Sequence, residues 1–132
     1  MTVIVVGAAV LDGQRLLAAR RLEPPHLAGG WELPGGKVEP GEEEEEALIR
    51  ECREELGVGI RILQRVGGDW PLGKSAVLRV WTAEVVDGVP QPLEDHSELR
   101  WLEPHEWNDV AWLVGDLQVV EALRRLVLDD PR

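Results

Sequence analysis

The chain of 132 residues contains one cysteine, one methionine, and neither phenylalanine nor tyrosine. Because Cys52 has no partner, no internal disulfide can form, which fits a reducing compartment and predicts a cytoplasmic location. No apolar run approaches the roughly 20 residues that a membrane-spanning helix needs. The start, MTVIVVGAAVLDGQ, lacks the basic segment of a signal peptide. We therefore expect a protein that makes no contact with a membrane.

Basic residues are also scarce: 14 Lys and Arg face 25 Asp and Glu, for a net charge of -11. Extended binding to a nucleic-acid polymer needs a basic surface, so this class of partner is not expected. An acidic protein can still bind a phosphate compound if divalent cations lie between the two. All six aromatic residues are tryptophans, which either fill the core or stack on a nucleobase, with Trp81 and Trp112 as candidates.

Turn residues and apolar periodicity divide the chain into short elements. The length fits a single domain over 1–132. The patterns predict strands over 2–11, 15–20, 31–33, 58–66, 76–86 and 99–102, helices over 42–56 and 116–128, and a helical turn over 104–110. Loops are predicted over 22–30, 67–75 and 90–97. The organisation is a mixed sheet with one central and one C-terminal helix, of the α/β or α+β class.

The central predicted helix carries acidic residues in unusual number. Leu48, Ile49, Cys52 and Leu56 share one side as a core stripe, whereas Glu51, Glu54 and Glu55 share another face. Carboxylates at this spacing repel one another, and a divalent cation would relieve that repulsion. Hard oxygen ligands suit Mg²⁺ or Mn²⁺. The alternative is a solvated acidic face, in which Arg50 pairs with Glu46 and Glu54.

The segment Gly36–Val58, GKVEPGEEEEEALIRECREELGV, resembles the complete Nudix signature. That signature has a glycine, a glutamate after five residues, and, after seven more, Arg-Glu-apolar-x-Glu-Glu-x-Gly-apolar. The preceding segment RRLEPPHLAGGWELPGGKVEPGE resembles MutT-like nucleoside triphosphatases, especially the branch that acts on CTP, dCTP and oxidised or methylated nucleotides. The resemblance implies a Nudix-type α/β/α sandwich with a mixed sheet, a central catalytic helix and a C-terminal helix.

The resemblance also implies an activity and its residues. The activity is Mg²⁺-dependent hydrolysis of a nucleoside triphosphate to the monophosphate and pyrophosphate, with Mn²⁺ as a substitute. Glu54, Glu55 and the carbonyl of Gly36 would bind metal, and Glu51 would orient or deprotonate water or act as a further ligand. Glu98 best matches the catalytic and metal-binding carboxylate of a later loop, with Glu94, Asp95 and His96 as alternatives of shifted register. Arg50 and Glu42 are expected to be structural.

Substrate contacts follow from the same resemblance. Arg21 and His26 align with positions that hold the nucleotide, and Lys37 lies where it could approach phosphate. Asp116 aligns with a position that reads the base. An ionised Asp accepts hydrogen bonds only, which favours the amino group of cytosine, as in CTP, dCTP or 5-methyl-dCTP, over 8-oxo-dGTP. The alternative role of Asp116 is to cap the last helix.

Two other functions remain open at this point. The signature handles a diphosphate and its metal rather than the attached group, so ADP-ribose or a nucleotide sugar is an alternative substrate. A nucleotide-sensing module without catalysis is the second alternative. The expected partner is a small-molecule nucleotide, and the expected assembly is a monomer or a small homo-oligomer.

Overall fold

A computed structural model describes residues 2–129 of the chain. The strands are β1 (Val3–Asp12), β2 (Arg15–Arg21), β3 (Trp31–Glu32), β4 (Gly35–Lys37), β5 (Gly59–Leu72), β6 (Ala76–Asp87) and β7 (His96–Leu102). The helices are α1 (Glu44–Leu56) and α2 (Val114–Val127), and Pro104–Glu106 forms a short 3₁₀ turn. Among the described residues no helix is both long and apolar enough to cross a bilayer.

Strand β1 joins the two parts of a mixed sheet. It pairs in parallel with β6 along most of its length and antiparallel with β4 on its other edge. Beyond Val10 it turns into the hairpin with β2, which in turn pairs with β3 and β7. Strands β5 and β6 form a long antiparallel hairpin at the outer edge. The sheet therefore contains both parallel and antiparallel pairs.

The two helices cover opposite faces of this sheet. Val6, Ala8 and Val10 of β1 pack with buried residues of α1, namely Ala47, Leu48, Cys52 and Leu56. Ala9, the residue between them, packs with buried residues of α2, namely Val119, Val120 and Leu123. Successive strand residues point to opposite faces, so the sheet lies between α1 and α2. The expected α/β/α sandwich with a mixed sheet is confirmed.

The tryptophans have mainly structural surroundings. Trp107 is fully buried in the core beneath α2. The indole N–H of Trp112 donates to the carbonyl oxygen of Trp107 at 2.7 Å. The guanidinium of Arg65 lies 5.0 Å from the ring centre of Trp81. These contacts favour the structural interpretation for all three rings.

Several predicted boundaries are wrong. Helix α1 begins at Glu44 rather than Glu42, because the backbone N–H of Glu43 bonds to the carboxylate of Glu46 at 2.8 Å and so caps the helix start. Ile49 is 45% exposed and does not belong to the core stripe. The predicted helical turn over 104–110 is a 3₁₀ turn over Pro104–Glu106 alone.

The largest difference concerns residues 67–75, which were predicted to be a loop. Strand β5 continues through residues 67–72, with an irregularity between Val66 and Trp70, and only residues 73–75 form a turn. Gly67 has φ of 66°, and the indole N–H of Trp70 donates to the carbonyl of Val66 at 3.0 Å. Pairing with β6 thus overrides the turn-like composition of the Gly-Gly-Asp sequence. Strand β4, Gly35–Lys37, was likewise not predicted as a strand.

Candidate active site

Helix α1 presents its acidic face to the backbone of β4. The N–H of Gly35 donates to Oε1 of Glu55 at 3.0 Å. A Cβ built on Gly36 would lie 1.7 Å from Oε2 of Glu51, so the carboxylate of Glu51 occupies the space that a side chain would need. Glycine at this position therefore allows two carboxylates of α1 to approach the chain at Gly35 and Gly36.

Arg50 ties the acidic helix to the preceding loop. Its Nε and Nη2 donate to the two carboxylate oxygens of Glu42 at 2.7 and 3.0 Å, and Nη2 also donates to the carbonyl of Lys37 at 3.1 Å. Its Nη1 donates to Glu54 at 3.1 Å and lies 3.5 Å from Glu51. The bidentate bond lowers the pKa of Glu42 and raises that of Arg50. The solvated-face alternative paired Arg50 with Glu46, but the carboxylate of Glu46 caps the helix instead.

The environment makes two of the carboxylates unusually weak acids. Burial raises the pKa of Glu51 to about 7, against the opposing charge of Arg50 and with a further contribution from Glu54. Burial also raises the pKa of Glu55 to about 7, although the hydrogen bond from Gly35 opposes the shift. A cation placed between them would favour the ionised forms of both.

The donor set at this place fits a hard divalent cation. It consists of the carboxylate oxygens of Glu51 and Glu55 beside the backbone of Gly35 and Gly36, and both side chains are partly buried. Across residues 2–129, no three or more His, Cys, Asp or Glu side chains form a group that could hold a metal ion. A hard cation held here by one or two carboxylates would keep its other positions for water and substrate phosphates, as Mg²⁺ usually does.

A cavity of about 510 Å³ is lined in part by Gly35 and Gly36, the residues that these carboxylates approach. One wall is formed by Gly35, Gly36 and Lys37. The remaining wall is largely apolar and comes from several elements of the chain: Leu27, Leu33, Leu72, Leu78, Leu113 and Val114. Arg21, Glu32 and Asp116 are the other charged residues of the lining. An apolar pocket with few convergent polar groups is the usual form of a small-molecule site.

The structure brings together some of the expected residues and leaves others apart. Arg21, Lys37 and Asp116 line the cavity, together with Gly36. His26 is exposed, and its neighbour Leu27 lines the cavity instead. Neither Trp81 nor Trp112 belongs to the lining.

The expected loop carboxylate, Glu98, and its neighbour Glu94 have different surroundings. Glu98 is exposed on β7 and lies 3.5 Å from Nη1 of Arg20. Glu94, one of the residues of the shifted register, contributes to the raised pKa of Glu51. Glu94 also has a positive φ of 54°, which is uncommon for a residue other than glycine. Of these two acids, Glu94 thus acts electrostatically on Glu51, and Glu98 lies beside Arg20.

Asp116 lies in the first turn of α2 and does not cap it, because the cap residue is Leu113. Its Oδ1 instead accepts a hydrogen bond from the backbone N–H of Leu33 at 3.2 Å, which links α2 to the strand region before β4. Burial raises the pKa of Asp116 to about 7. With this pKa the protonated form, which can donate a hydrogen bond, is present near neutral pH beside the ionised form, which only accepts.

Sequence reasoning missed the contacts of Glu32. Its Oε2 accepts a hydrogen bond from Nη1 of Arg21 at 2.9 Å and lies 2.8 Å from Nε2 of the buried His96. Burial lowers the pKa of His96, but the bond to Glu32 and the charge of Glu55 outweigh it and raise that pKa. The sequence feature that could have indicated these contacts is the position of Glu32 itself, a charged residue between the apolar Trp31 and Leu33.

Fold and site together define a hydrolase of the Nudix type. The NUDIX domain model matches residues 1–123. The chain is 42% identical over 125 residues to a provisionally named 8-oxo-dGTP diphosphatase 2 of Mycobacterium tuberculosis, covering 92% of this chain and 88% of the relative. It is 36% identical over 130 residues to the CTP pyrophosphohydrolase of Escherichia coli, covering 96% and 95%.

Solved structures agree with this assignment. The solution structure of the Escherichia coli ORF135 protein superposes with a TM-score of 0.80 at 31% identity, covering 98% of this chain and 94% of the other. The chain belongs to the Nudix family and is a Nudix hydrolase. Members of this family generally use divalent metal ions.

Proposed function

We propose that the protein hydrolyses nucleoside triphosphates to the monophosphate and pyrophosphate with Mg²⁺, and that its substrates are CTP, dCTP or modified nucleotides such as 5-methyl-dCTP and 8-oxo-dGTP. One observation carries the proposal. The weakly acidic carboxylates Glu51 and Glu55 meet the backbone at Gly35 and Gly36, which also forms the wall of a base-sized apolar cavity. Phosphates bound at this wall would place the base inside the cavity.

Glu54, Glu55 and the carbonyl of Gly36 would hold Mg²⁺, which neutralises phosphate charge and lowers the pKa of water when bound. Glu51 would accept the proton of the attacking water, since its carboxylate lies against Gly36 beside the proposed metal ligands. That water supplies its oxygen to one phosphorus atom as the bridge between the α and β phosphorus atoms breaks. Glu94 would act in place of Glu98 as the loop carboxylate.

The positive side chains of the cavity have distinct expected roles. Arg21 is held by Glu32 on one side of the lining and would donate to phosphate or ribose oxygens. Lys37 lies at the wall beside Gly36 and would contact the outer phosphates. The exposed position of His26 supports at most a contact at the mouth of the cavity. Asp116 would read the polar edge of the base.

The relatives support both kinds of base. The Mycobacterium tuberculosis relative is named for an oxidised guanine nucleotide, and the Escherichia coli relative is named for CTP. The carboxyl group of Asp116, with a pKa of about 7, could bind either cytosine or oxidised guanine. It accepts hydrogen bonds when ionised and donates one when protonated. We therefore keep both bases in the proposal.

The test is a substrate panel with purified protein and Mg²⁺. CTP, dCTP, 5-methyl-dCTP, 8-oxo-dGTP and dGTP are compared by kcat/KM from pyrophosphate release, and ADP-ribose and a nucleotide sugar are compared by monophosphate release. We expect turnover of at least one triphosphate. Release of monophosphate from ADP-ribose alone would refute the proposal and favour the alternative substrate class. Binding without turnover of any compound would favour the sensing module.

A further inference from the structure

The end of the β5–β6 hairpin reaches the nucleotide cavity. Leu72 is the last residue of β5 and pairs with Ala76 across the turn at Gly73. Its side chain lines the cavity, together with Leu78 from the opposite strand of the same hairpin. The continuation of β5 beyond Val66, which the sequence did not predict, is what carries Leu72 to this place.

Leu72 closes the cavity against the start of α2. A Cβ built on Gly115 would lie 2.4 Å from Cδ2 of Leu72, and the next nearest atom, Cγ of the same side chain, is 3.9 Å away. Leu72 thus occupies the space in front of Gly115, the residue that precedes Asp116. The contact joins a hairpin end to the helix that carries the expected base-reading group.

We infer that Leu72 is a specificity-determining residue that limits the size of the base, and this inference rests on the proposed function. A base that reaches Asp116 must fit in the cavity beside the Leu72 side chain, because both residues belong to one continuous lining. The lining near Leu72 is apolar, so this wall discriminates by shape rather than by hydrogen bonding. Shape discrimination of this kind changes the ratio of kcat/KM values by roughly 10- to 100-fold.

The direct test is Leu72→Ala, compared with Leu63→Ala. Leu63 is in the same strand but is 53% exposed and lies outside the cavity lining. The readout is the ratio of kcat/KM for 8-oxo-dGTP or dGTP to that for CTP or dCTP. We expect Leu72→Ala to raise this ratio about 10-fold in favour of the larger purines, and Leu63→Ala to leave it unchanged.

A second readout does not depend on catalysis. Affinities for dGMP and dCMP are measured by calorimetry in the presence of a chelator, with Leu72→Met as a milder variant that keeps the volume of the side chain. We expect the preference for dGMP over dCMP to rise in Leu72→Ala and to stay near the wild-type value in Leu72→Met. An equal preference in all variants would overturn the inference.

The contact itself is tested by a double mutant. Gly115→Ala should lower Tm in the wild-type background, because the new methyl group meets Leu72. In the Leu72→Ala background the same change should be neutral or should raise Tm, since alanine favours a helix over glycine. If wild type cleaves no triphosphate, the proposed function fails. If it cleaves triphosphates and Leu72→Ala leaves the base ratio unchanged, only the inference about Leu72 fails.

Discussion

The carboxylate of Glu51 lies in the space that a side chain on residue 36 would need, since a Cβ on Gly36 would be 1.7 Å from its Oε2. The glycine of β4 and the glutamate of α1 therefore depend on each other. Gly36, the first residue of the signature, is therefore required because it has no side chain, and not only because glycine is flexible. Even the addition of one methyl group at this position should disturb Glu51.

Gly36→Ala should displace Glu51 and lower kcat/KM by about 100-fold or more, because a shift of about 1 Å in a reacting group has that effect. Pyrophosphate release measures the loss. Gly68→Ala is the matched control, because its added methyl group meets no atom within 4 Å and its φ is not in the left-handed region. Full activity of Gly36→Ala would show that Glu51 does not act from the position seen here.

The partly buried carboxyl of Glu55 should make the metal-free protein less stable as pH rises. Its pKa is about 7 in the folded state and 4.5 ordinarily, so between these values the folded state binds more protons than the unfolded state. Glu55 therefore contributes its full share to the free energy of unfolding below pH 4.5. This share, roughly 1–3 kcal/mol, is lost as the pH rises to about 7. Thermal melts across this pH range in a chelator measure it.

Glu55→Gln should remove this pH-dependent loss while keeping an acceptor for the N–H of Gly35. The variant should therefore be more stable than wild type at about pH 8 and similar at about pH 5. Glu121→Gln, at an exposed position of α2, is the control. Mg²⁺ should raise the Tm of wild type more at high pH than at low pH, and it should have little effect on Glu55→Gln. An equal Mg²⁺ effect on both proteins would contradict the assigned metal site.

Local patterns were sufficient to predict α1 and its acidic face. Its end at Gly57, which has φ of 71°, follows from the left-handed cap that the sequence indicates. The structural role that the family resemblance implied for Glu42 and Arg50 agrees with the bidentate bond between them. These features depend on residues close together in the chain, so propensity and spacing describe them well.

Local patterns of this kind could not predict contacts between residues that are far apart in the chain. Glu32 meets His96, 64 residues further on, because β2 pairs with both β3 and β7. The surroundings of Glu98 also depend on how β7 pairs with β2, where the register shifts between Arg20 and Arg21. The course of β5 to Leu72 likewise depends on pairing with β6.

Glu94→Gln and Glu98→Gln form a matched pair that tests this register. The charge of Glu94 raises the pKa of Glu51, so its removal should shift the acidic limb of the kcat/KM profile to lower pH and should lower activity. Glu98→Gln breaks only an exposed pair with Arg20, which is worth little, so its profile should match wild type. The opposite ranking of the two variants would restore Glu98 as the loop carboxylate.

Asp116→Asn should change the preference among bases by about 10-fold. Asparagine keeps an acceptor for the N–H of Leu33, but it cannot ionise. With a pKa of about 7, Asp116 in wild type donates a hydrogen bond mainly below neutral pH and only accepts above it. The ratio of kcat/KM for dCTP to that for 8-oxo-dGTP should therefore rise with pH in wild type, because the cytosine amino group needs an acceptor.

In Asp116→Asn the same ratio should be nearly independent of pH across this range, whereas the exposed Asp109→Asn should behave as wild type. Comparing ratios rather than rates cancels the titration of Glu51, which acts on both substrates alike. If the ratio in wild type does not vary with pH and the variant keeps the same preference, Asp116 serves only to join α2 to Leu33. Base selection would then depend on the apolar wall of the cavity.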